Sequence, residues 1–157
     1  MKRFPITKRG AEELEKELYR LKYVERPSVI LALQEARAHG DLSENAEYEA
    51  AKERQGFVEG RIQEIMLKLS MAEVIDPSAI KCEECVFGST VTLLDLDTEE
   101  KVQYQIVGED EADLKNGKIS INSPLARALI GKHVGSTAEV EAPAGIRSYD
   151  ILAIEYI

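Results

Sequence analysis

The feature that most constrains this chain is a stripe of seven positions, Tyr48, Ala51, Gln55, Val58, Ile62, Ile65 and Leu69, spaced alternately three and four residues apart. Those steps put all seven on one face of a helix, and a face of that width needs one partner helix to cover it. The spacing predicts a helix from about Ser43 to about Ala72, roughly 45 Å long at about 1.5 Å per residue. The partner lies upstream. Ala11, Leu14, Leu18 and Leu21 begin a matching seam, which Val29, Leu33 and Ala36 carry on to Gly40. Thr7 is placed to cap the first helix, with Ile6 and Ala11 as a weak hydrophobic staple. Pro27 cannot supply an interior hydrogen bond, so a kink or restart is expected at Arg26-Pro27. Gly40 is a natural left-handed stop, and His39 beside it favours the negative helix end. One helix stopping where another starts makes an antiparallel helical hairpin, a coiled coil with its turn at one end. Polar Gln55 within the seam helps to fix register.

Two carboxylates, Asp41 and Glu44, occupy that turn, three residues apart. Asp-x-x-Glu ahead of a helix has the form of a capping box, worth about 1 kcal/mol. The same acids at the end of a long rod are also a chemical tool held at a distance. Carboxylate oxygens suit Mg²⁺, which usually takes one or two protein carboxylates and fills its other positions with water or phosphate oxygens. Spacing alone leaves both readings open.

Beyond Asp76-Pro77 the period changes from helix to strand. Strands are expected over Thr90–Leu94, Val102–Val107 and Lys118–Ile121, and again near Thr137–Ala142 and Arg147–Tyr156, separated by turn-forming residues. A short helix starts at Ser123-Pro124 and stops at Gly131. The fold class expected is α+β: a helical hairpin followed by an antiparallel sheet with one short helix. Residues 1–76 form the first domain in this reading, residues 77–85 a linker, and residues 86–157 the second domain.

Charge is divided unevenly between these halves. Residues 1–77 hold 13 Lys and Arg against 15 Asp and Glu, while residues 78–157 hold 7 against 14, which makes −2 and −7 of the total −9. Such a chain lacks the broad basic footprint of a protein that grips duplex nucleic acid unaided, so any contact with RNA or DNA is local or made inside an assembly. No secretory signal or membrane-length apolar run is evident, and a cytoplasmic protein is expected. The pair Cys82-x-x-Cys85 is too small a set to close a tetrahedral zinc site, and it precedes a strand where a thioredoxin-like pair would follow one.

The stretch Gly40-Asp-Leu-Ser-Glu-Asn-Ala-Glu-Tyr-Glu-Ala-Ala-Lys52, with Gln55-Gly-Phe and Glu59-Gly-Arg-Ile62, resembles the Gre family of bacterial transcript-cleavage factors. The likeness continues through Val86–Thr92, Ile106–Asp113 and Ile119–Gly131, and covers nearly the whole chain. The modest basic content of the rod is similar to the GreA-like branch. This resemblance implies an FKBP-like second domain and a monomer that binds bacterial RNA polymerase, its coiled coil passing through the secondary channel. It implies that Asp41 and Glu44 help to hold a second Mg²⁺ at the polymerase active centre, with Ser43 in support, so that the polymerase hydrolyses the 3′ end of backtracked RNA. Two-metal phosphodiester hydrolysis has that form. Arg37 and Lys52 match positions that contact the RNA 3′ end, although on spacing alone they are ordinary solvated helix charges. Asn122, Ser123 and Pro124 match the region that docks on the polymerase rim, and they also read simply as a helix start. On this reading the protein is not an enzyme by itself. Two alternatives share the architecture: a secondary-channel inhibitor, and a coiled-coil adaptor whose acids only cap. A peptidyl-prolyl isomerase would need an aromatic-lined pocket, and the second half offers only Phe87, Tyr104, Tyr149 and Tyr156.

Overall fold

The computed structural model describes residues 3–40, 46–80 and 82–157. Its elements run β1 (Phe4–Thr7), α1 (Lys8–Arg20), a π-helical turn (Leu21–Glu25), α2 (Arg26–Ala38), α3 (Ala46–Met71), β2 (Ala72–Ile75), β3 (Thr90–Asp95), β4 (Lys101–Val107), β5 (Lys118–Ser120), α4 (Pro124–Leu129), β6 (Thr137–Ala142) and β7 (Gly145–Glu155). The chain divides into two compact units, one of Ala11–Ala72 and one of residues 3–10 with Glu73–Ile157. The α+β order follows the helix and strand periods of the sequence.

The helical unit is built on the predicted seam. Leu21, Val29, Leu33, Ala51, Val58, Ile62 and Ile65 form its buried core, with Leu14, Leu18, Tyr48 and Leu69 packed against it. Ion pairs lace the outside. Arg26 meets Glu59 through two N–H donors at 2.8 and 2.9 Å, Arg61 meets Glu17 at 2.9 Å, and Arg54 meets Glu25 at 2.8 Å. The kink expected at Arg26-Pro27 takes a specific form. The five residues Leu21–Glu25 widen into a π turn, closed by the Arg26 N–H donating to the Leu21 carbonyl, and the helix then continues without a side-chain cap. Pro27 has no N–H, and its ring crowds the preceding turn, so a wider turn there absorbs the defect.

In the other unit five strands lie in the order β5-β4-β3-β7-β6. β3 pairs antiparallel with β4 and β7, as does β6 with β7, but β5 joins β4 in parallel, an arrangement the alternation of residues did not reveal. The β3–β7 register shifts between Thr92 and Leu93, opposite Ala153 and Ile151, which leaves Leu152 as the extra residue of a bulge and turns it outward. Helix α4 closes the core, where Val91, Leu93, Ile106, Ala126, Leu129, Ala138 and Ile151 are buried.

The domain boundaries need correction. β1 and β2 form a two-stranded sheet, and residues 3–10 and 73–76 belong to the sheet-bearing unit, not to the hairpin. Residues 77–85 are not a free linker either. Pro77–Ala79 make a 3₁₀ turn capped by Asp76, and Pro77 is buried. Cys85 lies wholly inside the sheet core, its N–H donating to the Lys132 carbonyl and its own carbonyl accepting from Gly131 N–H, each at 2.8 Å. The sequence reading places Cys85 in a linker with no structural part, whereas a reduced cysteine packs like a small hydrophobe.

Candidate functional site

The described part of the hairpin's tip comprises the end of α2 and the start of α3. Ala36 is buried in the seam, His39 ends the helix with its N–H on the Ala36 carbonyl, and Gly40, its own N–H on the Arg37 carbonyl, takes φ +103°, a left-handed value that favours glycine. His39 Nε2 lies 3.8 Å from the Glu47 carboxylate across the turn. Asp41, Ser43 and Glu44 fall outside the described residues.

Arg37 and Lys52, read from opposite helices, are brought together. Both side chains are exposed, and both converge on the ring of Tyr48: the Arg37 guanidinium carbon lies 5.9 Å from the ring centroid and the Lys52 ammonium 5.7 Å. Tyr48 and Lys52 stand four residues apart, on one face of α3. Tyr48 therefore packs against the seam while its ring meets two cations. Tyr48 was read as a packing residue only. Its signal lay in the sequence as an i, i+4 Tyr–Lys pair, but the contribution of Arg37 depends on the facing helix.

The second set of candidate residues begins α4. Ser123 is the N-cap, its hydroxyl oxygen accepting from the Ala126 N–H at 3.2 Å, and Pro124 fills the first helical position. Asn122 and Pro124 are exposed on either side of it. The helix start predicted from Ser123-Pro124 is therefore present, and it presents two side chains to solvent. The tip and this helix start lie in different units.

Two family models divide the chain between them. Residues 4–74 match the one described as transcription elongation factor, N-terminal, and residues 80–156 match transcription elongation factor, GreA/GreB, C-term. The chain belongs to the GreA/GreB family. It is 65% identical over 158 aligned residues to the transcription elongation factor GreA of Neisseria meningitidis serogroup A, with 100% of each chain covered. Over 99% of each chain it is 60% identical to the protein of the same name from Halorhodospira halophila. Among solved structures it is similar to Thermus aquaticus Gfh1, at 30% identity, 99% coverage of both chains and a TM-score of 0.45.

Among the described residues no group of three or more His, Cys, Asp or Glu side chains gathers to hold a metal ion. Cys82 is exposed and Cys85 buried, both as free thiols. Burial pushes the Cys85 thiol up from its ordinary value, against a smaller downward pull from its contact with Ser89 Oγ at 3.2 Å. An inert, protonated thiol follows. Among the described residues no helix is long and apolar enough to cross a membrane.

Proposed function

We propose that this transcription elongation factor binds bacterial RNA polymerase, passes its hairpin through the secondary channel, and stimulates the polymerase's own cleavage of the 3′ end of backtracked RNA. The observation that carries this reading is the convergence of Arg37 and Lys52 from opposite helices beside the turn that holds Asp41 and Glu44. Cations that face a phosphate chain and acids that face a metal are the two charge types that phosphodiester hydrolysis needs next to each other. α3 alone, with 26 residues, carries that turn about 39 Å from its own far end.

The donor set fits Mg²⁺ in kind but not in number. Asp41 and Glu44 supply carboxylate oxygens, and an octahedral ion needs more ligands than two side chains give, so the polymerase and the RNA complete the shell. When bound there, Mg²⁺ lowers the pKa of a water and polarises the scissile phosphate. This chain's residues have three tasks: Asp41 and Glu44 hold negative charge where the cation is needed, Ser43 supports their turn, and Arg37 with Lys52 steady the RNA 3′ end. Asn122 and Pro124, fixed by the Ser123 cap, dock on the polymerase rim. The chain is then half of a site and not an enzyme by itself.

The test is transcript cleavage in a stalled bacterial elongation complex. Wild-type protein should accelerate release of the RNA 3′ end, and Asp41→Asn or Glu44→Gln should abolish the acceleration while binding to polymerase stays within about twofold. Normal acceleration by either variant would remove the metal role from these acids.

A further inference from the structure

Three arginines of the hairpin are neutralised across it. Arg26, Arg54 and Arg61 each face an acid on the opposing helix at 2.8 to 2.9 Å. At the tip the cross-helix partner changes character. Arg37 from α2 and Lys52 from α3 meet on an uncharged ring, at 5.9 and 5.7 Å from its centroid. A carboxylate would hold a cation by cancelling its charge. An aromatic face holds it through the ring quadrupole and leaves the charge undiminished. Two like charges gathered in this way repel, and an incoming anion relieves the repulsion.

We propose that Tyr48 is a positioning residue for the RNA contact, holding Arg37 and Lys52 as one preorganised anion-binding pair for the phosphates of the extruded strand. The inference rests on the reading of Arg37 and Lys52 as RNA contacts given above. The ring suits the task because it is itself anchored: Tyr48 is half-buried and packs against the buried seam core of the hairpin. Arginine and lysine side chains are otherwise free to sample many rotamers, and ordering them at the moment of binding weakens the contact they make. Holding them beforehand removes that cost. The contact is made by the face of the ring, which phenylalanine presents as well.

The test compares Tyr48→Phe, which keeps the ring, with Tyr48→Leu, which keeps an apolar seam residue and removes it. In the free protein, proton spectra should show the Lys52 ε-methylene and Arg37 δ-methylene signals shifted upfield by the ring in wild type and Tyr48→Phe, and unshifted in Tyr48→Leu. In stalled elongation complexes, Tyr48→Phe should match wild type. Tyr48→Leu should raise the factor concentration for half-maximal cleavage about fivefold to tenfold, and should reduce crosslinking from a photoreactive RNA 3′ end. Helix content and the maximal cleavage rate should stay as in wild type. In a chain already carrying Arg37→Gln and Lys52→Gln, Tyr48→Leu should have no further effect, because the ring then has nothing to hold. A Tyr48→Phe defect equal to that of Tyr48→Leu would overturn the proposal, as would an undiminished Tyr48→Leu defect in the double-glutamine background. If the double-glutamine chain cleaves and crosslinks as wild type does, the RNA-contact reading itself fails. If only Tyr48→Leu behaves as wild type, that reading stands and the positioning role falls.

Discussion

Alanine at position 10 should destabilise the sheet-bearing unit, although alanine is the better helix former by about 1 kcal/mol. Gly10 sits in the first turns of α1, its N–H donating to Thr7 Oγ1 at 3.1 Å. A Cβ built there would fall within the Glu111 carboxyl group, and 2.6 Å from its Cγ. Glu111 could swing aside were it idle, but its carboxylate accepts from the Thr7 N–H at 3.0 Å, from the Thr7 hydroxyl, and from the Gly108 N–H at 2.9 Å. Thr7 and Gly108 are both buried, so moving the carboxylate strands two backbone donors. A bond to a charged acceptor is worth about 1.5–3 kcal/mol, and the lower end applies because Glu111 is half-exposed and water can substitute in part. Displacement should cost about 2–4 kcal/mol, and the helix propensity gained offsets about 1 of these, leaving about 1–3 kcal/mol lost. For a chain of this size that is roughly 3–10 °C in Tm. Thermal and urea unfolding of wild type, Gly10→Ala, Glu111→Ala and the double variant complete a cycle in which the methyl group should stabilise the chain once Glu111 is gone. If Gly10→Ala raised Tm equally in both backgrounds, the clamp between Thr7, Gly108 and Glu111 would not be holding the N-terminal strand.

Three further outcomes are expected. Asn122→Ala combined with Pro124→Ala should weaken polymerase binding severalfold in a competition assay while the circular dichroism of the hairpin is unchanged; unaltered affinity would refute the docking assignment. With a chromogenic thiol reagent at pH 8, Cys82 should react at once and Cys85 only on unfolding, and because burial raises the Cys85 pKa, that group's contribution to stability should be lost as pH rises above about 9. The carboxyl of Glu64 is held below its ordinary value, first by a hydrogen bond from Lys68 and then by one from Arg61, and that of Asp76 by the hydroxyl and N–H of Ser78. Depressed carboxyls contribute stability above their unfolded pKa and lose it as pH falls through the folded value, so urea midpoints should drop below about pH 4, less steeply in Glu64→Gln. Identical slopes would exclude the Glu64 contribution.

Much of the fold was legible because it is written in local periods. The three-four stripe from Tyr48 to Leu69 gave the hairpin, and Val29, Leu33, Ala36, Val58, Ile62 and Ile65 are buried as the stripe requires. Alternation gave β3, β4, β6 and β7 nearly to the residue, and Ser123-Pro124 gave the start of α4 through the chemistry of a cap. What was missed is non-local. Nothing in Phe4–Thr7 says that it pairs with Ala72–Ile75, nothing in Lys118–Ser120 says that it runs parallel to β4, and Cys85 looks like part of a linker until the Gly131–His133 segment is laid beside it.

The candidate site divides in the same way. The residue types at the tip, two acids in the turn with a cation on each flanking helix, are fixed by the order of residues, since a hairpin brings its turn and the ends of its two helices together whatever else it does. Which cations are neutralised and which keep their charge is a tertiary decision, because it depends on what stands opposite on another helix. Arg26, Arg54 and Arg61 find carboxylates there, and Arg37 finds the face of Tyr48. A charge in sequence is only a formal charge. Its partner across the hairpin determines how much of it an approaching phosphate meets.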